Sequence, residues 1–219
     1  MTTVLEYLKT WIQMAEEKPP LFTWDADSTR YRNKDTGRYY AEKRILALAD
    51  GYTENVNTRL TDLTERFING DMDLGNWQRQ AAQMLKDGYI INAAIGRGGI
   101  KQLDNADYGR IGGHLRFEYR HLNAFAQAIK DGKLTPAQIQ MRIKMYADGV
   151  RTAYFDGLQA AKKAAGYTWK RKVLNPAEHC NDCITQSGFG WVPMNDQKVT
   201  PPGVGTACGH NCKCDMDFR

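Results

Sequence analysis

All five cysteines of this 219-residue chain, Cys180, Cys183, Cys208, Cys212 and Cys214, fall within its last 40 residues, and the first 179 contain none. An odd number cannot be consumed in intramolecular disulfides, and nothing else in the sequence indicates an oxidising compartment. The cluster therefore points to a metal. The tail reads His179-Cys180-Asn-Asp-Cys183, then 24 residues, then Cys208-Gly-His210-Asn-Cys212-Lys-Cys214. A C-x2-C turn presents two thiolates to one tetrahedral ion, and a second cysteine cluster after a spacer completes a four-ligand structural zinc site. The spacer carries Gly188, Gly190, Pro193, Pro201, Pro202, Gly203 and Gly205, too many breakers for a helix. Trp191-Val-Pro193 suggests one short strand or an apolar plug. So small a module lacks the core to fold alone, and a bound ion supplies the missing stability.

The first choice of ligands is Cys180, Cys183, Cys208 and Cys212, with Gly209 permitting a tight turn between the last two. Cys212 and Cys214 project to opposite faces if they lie on a strand, so both on one ion requires a bend. Cys214 and His210 are the alternates to Cys212. No catalytic set is legible. His114 and His121 sit seven apart on a helix, where they read as polar or partnered core positions rather than ligands. Gly96-Arg-Gly-Gly99 lacks the lysine and preceding strand of a phosphate loop. A zinc hydrolase needs an open coordination position and a nearby base. His179 beside Glu178 offers only a faint version of that, and a thiolate-rich set favours a closed structural ion. The expectation is a protein that is not an enzyme.

Upstream of the cysteines the pattern is mainly helical. Val4, Leu5, Leu8, Trp11, Ile12 and Ala15 mark a lone amphipathic helix over 1–18, stopped by Pro19-Pro20. Aromatic strand formers flank the Asp35-Thr-Gly37 turn, which predicts a hairpin or extended arm over 21–40. From 41 onward Ile45, Leu48, Tyr52, Val56, Leu60, Leu63 and Phe67 form a helical stripe ending at Asn69-Gly70. Asp73 then caps a helix bearing Trp77, Ala81, Met84 and Leu85. After the Gly96–Gly99 break, Ile111, Leu115, Leu122, Phe125 and Ile129 form another stripe, ending at Asp131-Gly132. Thr135-Pro-Ala-Gln138 is a capping box with proline at the first helical position, followed by Ile139, Ile143, Tyr146, Val150, Tyr154 and Leu158. A shift of 62 residues superposes Leu60 on Leu122, Gly70 on Gly132, Asp73 on Thr135 and Trp77 on Ile139. The fold class expected is mainly α: a helical bundle of two related helical hairpins (41–172), with an N-terminal helix and extended arm (1–40) and a C-terminal zinc-binding module (173–219).

Charge is uneven. Residues 97–172 carry 15 basic and 6 acidic side chains, a net of +9, while the flanking segments are each slightly acidic. This middle region suits a polyanion, so a nucleic-acid-binding protein using 97–172 and the zinc module is the alternative reading. Mean hydropathy is −0.59, and no run approaches the ~18 apolar residues of a membrane span. The Met1–Glu6 stretch lacks a basic, then apolar, leader, so secretion by a signal peptide is not expected.

Arg30-Tyr-Arg-Asn33, Thr36-Gly-Arg-Tyr39, the Gly70…Trp77 hairpin and the Cys180-x2-Cys183…Asn211-Cys-Lys-Cys214 ending together resemble phage minor head proteins. The tail in particular is similar to that of the head-morphogenesis family typified by the phage Mu F protein, in which a helical region precedes a cysteine/histidine module. The tail match covers about 40 residues; the helical match is longer and looser. The chain departs from the family in having Cys208-Gly-His210 where a proline-flanked histidine usually stands, and it is short for the family. The resemblance implies a structural virion protein, made in the host cytoplasm and built into the particle near the portal, capsid or neck. It implies several copies in a symmetric assembly, virion proteins as partners and packaged DNA as a neighbour.

Overall fold

A computed structural model describes residues 22–219, and the helix expected over 1–18 lies outside the described residues. Among the described residues the chain is mainly helical, with two small sheets.

The arm opens as an antiparallel three-stranded sheet, β1 (Phe22–Asp25), β2 (Arg30–Asn33) and β3 (Tyr39–Tyr40). The Asp35-Thr-Gly37 turn joins β2 to β3, with Asn33 Oδ1 accepting from the Asp35 and Thr36 amides at 2.8 Å. A sheet this small needs a surface to lean on. Here Tyr31 is wholly buried between Phe22 and Trp24, and its hydroxyl donates to the Gly96 carbonyl at 2.6 Å.

Five helices follow: α1 (Glu42–Ile68), α2 (Leu74–Arg97), α3 (Asn105–Lys130), α4 (Pro136–Gly149) and α5 (Arg151–Ala164). The helix starts are where the caps predict them. Asp73 accepts from the Asn76 amide, and Thr135 and Gln138 form a reciprocal capping box. On α1 the inward positions are Ile45, Ala49, Val56, Leu60 and Leu63. Leu48, expected on the stripe, is 46% exposed because Ala49 takes its inward place.

Trp77 sits at the centre of the main core with its ring against Phe67 and Phe125, and its indole N–H donates to Thr64 Oγ1 at 3.0 Å. That bond satisfies a polar atom that would otherwise be stranded in an apolar site. Ile139 lies in the same core. The two helical pairs pack differently. α1 lies along α2, whereas α4 lies chiefly along α1 and meets α3 through Phe125, Arg142 and Tyr146.

The stripe from Ile139 to Leu158 does not run through one helix: it breaks at Gly149-Val150 into α4 and α5. Every residue there keeps helical dihedrals, so hydrophobic period alone could not register the bend. α5 then packs along α2 at close range. A β-carbon on Gly96 would come within 2.1 Å of the Tyr154 carbonyl oxygen, and one on Gly157 within 2.2 Å of the Ala93 carbonyl. The Gly96–Gly99 run is thus a helix-packing and capping device, with Gly98 in the left-handed conformation that ends α2.

The C-terminal sheet places β4 (Trp169–Val173) between β5 (Val192–Pro193) and β6 (Asp215–Phe218), both antiparallel. β4 straddles residue 172, so the bundle runs directly into the cysteine module. Val192, Val199 and Met216 pack in one buried cluster with Phe22, Tyr31, Ile45 and Tyr154. The spacer after Cys183 begins inside a short helix, α6 (Asn181–Gly188), because its first glycine comes only at 188; Trp191-Val-Pro193 supplies the expected short strand.

Candidate metal centre

Three local structures bring the thiols together. Cys180 is the N-cap of α6 and Cys183 lies in its first turn, so the helix start holds both sulfurs near free amides. Cys208 precedes, and Cys212 follows, a single 3-10 turn over Gly209–Asn211, where Gly209 takes a left-handed φ of 49°. Cys214 stands one residue before β6. Neither Cys212 nor Cys214 lies on the strand, and their sulfurs stand within 4.8 Å of each other.

The five sulfurs fall into two triads, in each of which all atoms lie within 4.8 Å of one another: Cys180, Cys183 and Cys208, and Cys183, Cys212 and Cys214. Cys183 belongs to both, at 3.5 Å from Cys208 and 3.7 Å from Cys212. The edge of a tetrahedron with ~2.3 Å zinc–sulfur bonds is ~3.8 Å, so these spacings suit thiolates sharing an ion. Of the residues chosen from sequence, the four first-choice cysteines and the alternate Cys214 all reach this cluster, with Cys212 joined through Cys183. The alternate His210 does not. Its Nδ1–H donates to the Met145 carbonyl at 3.0 Å and its Nε2 lies 3.2 Å from Glu118 Oε1, facing the helices.

His179 takes a place that the ligand choice from sequence did not give it. Its Nδ1 lies 3.5 Å from Cys214 Sγ, and its Nε2–H donates to the Asn175 carbonyl at 2.7 Å. A carbonyl can only accept, so that bond fixes the proton on Nε2 and leaves the Nδ1 lone pair toward the sulfurs. The signal available in sequence was its position directly before the C-x2-C pair.

Cys183 and Cys214 are fully buried and Cys212 nearly so. Burial, then the neighbouring thiols, drives the Cys183 thiol far above its ordinary value; burial, followed by the Cys212 charge, pushes Cys214 up to about 11. Burial opposes ionisation of Cys180 as well, yet the amides of Cys183 and Cys208 bring it down to about 7. Cys212 is lowered too: burial works against it, and the Cys214 and Gly203 amides outweigh that. Buried thiolates crowded this closely repel one another unless a cation lies among them. The donor chemistry, soft sulfur with one imidazole, fits zinc.

The seam between module and bundle is polar. His210 meets Glu118, which is buried and accepts from the Tyr89 hydroxyl at 3.0 Å, beside a cavity of about 530 Å³ lined also by His121 and Arg142. Burial, the largest influence, raises the Glu118 carboxyl above its usual range. His114 is occupied elsewhere: its Nε2–H donates to Asp156 Oδ2 at 2.7 Å, joining α3 to α5, while His121 packs on Phe117.

Three of the fifteen basic side chains of 97–172 pair with carboxylates from outside it. Lys162 pairs with Glu42, Arg151 with Asp50, and Arg171 with Asp217, all carboxylates beyond 97–172. Lys170 and Lys172 are buried.

No family model matches the chain, and searches of the curated proteins and of the solved structures find no match. Among the described residues no helix is long and apolar enough to cross a membrane.

Proposed function

We propose that this chain is a structural component of a phage particle, a minor head or portal- or neck-associated protein that acts in head assembly by binding other virion proteins. Its cysteine tail holds a structural zinc ion rather than a reactive one. The observation that carries the reading is the closed donor set: the central sulfurs are inaccessible to solvent, and His179 and the thiols are engaged with one another or with backbone. Such an ion cross-links the chain and offers no open position for a substrate. The resemblance of the arm, the Gly70…Trp77 segment and the Cys tail to phage minor head proteins supplies the context. In that reading the two helical hairpins are related repeats, and exposed apolar side chains such as Phe117, Met141, Ile184 and Phe189 provide contact area for partners.

The test is direct. Purified particles of the source phage contain the chain at a fixed copy number, and a map of the particle places it beside the portal, neck or shell. Deleting residues 1–20, whose sequence repeats Leu5, Leu8 and Ile12 at helical spacing, is expected to leave a folded, metal-loaded protein that no longer enters particles. Absence of the chain from mature particles overturns the proposal. The nucleic-acid alternative rests on the net charge of +9 in 97–172. It requires affinity for duplex DNA that falls steeply with salt, and the carboxylates drawn from outside that region already occupy Arg151, Lys162 and Arg171.

A further inference from the structure

The cysteine tail offers more donors than a single tetrahedral ion accepts. One tetrahedral ion accepts four donors, whereas five thiols lie in two linked triads here and the Nδ1 of His179 stands 3.5 Å from Cys214 Sγ as a sixth donor. The sulfurs form two triads that meet at Cys183 rather than one compact set of four. We propose that the tail holds two zinc ions in edge-sharing tetrahedra, bridged by the thiolate of Cys183, which stands in both triads, and by that of Cys212, which joins the first ion through a shift toward Cys180 and Cys208. Cys180 and Cys208 complete the first ion; Cys214 and His179 complete the second. The inference rests on the reading of the cysteines as a metal site and deepens it.

Three arguments support this assignment. The donor count closes, because six donors with two of them shared fill the eight positions of two four-coordinate ions. The shared edge, Cys183 to Cys212, measures 3.7 Å, the length such an edge requires. His179 is prepared as a ligand: its other nitrogen donates to a backbone carbonyl, the arrangement that orients metal-binding imidazoles.

Charge provides the fourth argument. Two divalent ions and five thiolates leave one negative charge in a buried site, after each thiol has given its proton to solvent. Lys172 lies on β4 with 2% of its surface exposed, its Nζ has no hydrogen-bond partner, and its charge acts on Cys214. A buried ammonium without a partner is costly unless it faces an anion. One ammonium balances the two-ion site, whereas a single ion with four thiolates keeps a double negative charge.

Elemental analysis of the full chain, purified without added metal, settles the count, together with native mass spectrometry. The expected result is two zinc ions per chain. The double variant His179→Ala/Cys214→Ser is expected to retain one. After exchange with ¹¹³Cd, the wild-type protein should give two resonances, both displaced by Cys183→Ser, because that sulfur serves both ions. One zinc per wild-type chain overturns the second ion and leaves the structural-metal reading standing. No zinc overturns both. A Cys183→Ser spectrum in which one resonance keeps its wild-type position removes the bridge. The wild-type count decides the matter even if a variant fails to fold.

Discussion

At Trp77 a single side chain joins three helices: its ring fills the space between Phe67 and Phe125, and its N–H is held by Thr64. Trp77→Ala should lower the free energy of unfolding by about 3–5 kcal/mol, measured by chemical denaturation, since the cavity cannot collapse among so many neighbours. A loss well below 1 kcal/mol would mean that the site is not packed as described. His114 makes a prediction with a sign. Burial, the largest influence, disfavours its charged form, but the hydrogen bond and charge of Asp156 outweigh it and raise the imidazole above its ordinary 6.5. A raised folded-state value means that the stabilisation is fully present below 6.5 and is lost as pH rises through the raised value. The wild-type protein should therefore lose stability on that upward step, and His114→Gln should flatten the loss. At this scale sequence was a good guide where the chemistry is local. Asp73 and Thr135 announce their caps through neighbours three residues on, whereas Asp156 beside His114, Cys214 beside His179 and Glu118 beside His210 come from distant helices and loops that no spacing rule connects.

The helices meet at distances set by small residues. Gly96 and Gly157 face opposing carbonyls so closely that Gly96→Ala must push α5 away from α2. Overpacking of this kind costs about 1–3 kcal/mol or more, and the midpoint of thermal unfolding should fall. Gly109 stands exposed in the second turn of α3 with nothing near its missing β-carbon, so Gly109→Ala should instead stabilise by about 0.5–1 kcal/mol. Opposite signs for one chemical change at two helical glycines would verify the α2–α5 contact; equal effects would contradict it. The amphipathic stripes of α1 to α3 were legible from their period. The bend at Gly149-Val150 was not, because both residues keep helical dihedrals and the apolar spacing continues across it. Nor was β1, whose Phe22 and Trp24 gain their place from Tyr31 and from the helix end at Gly98.

The molecule as a whole is organised around two kinds of cohesion. The helices are held by ordinary apolar burial, with Trp77, Leu85, Tyr89 and Phe125 at the centre. The tail contributes Val192, Val199 and Met216 to a core shared with the arm, but between α6 and β6 its own interior is sulfur. The cysteine cluster was readable from composition because so few other roles suit five thiols packed into 40 residues. The division of the sulfurs into two triads was not, since it depends on how the 3-10 turn and α6 face each other. A metal ion that holds this region in place can be removed by a strong zinc chelator, and hydrogen–deuterium exchange of the intact chain with and without it reads the consequence. Amides between about residues 174 and 214 are expected to lose protection on chelation while α1 to α5 keep theirs; identical exchange in both conditions would mean that no metal holds the tail.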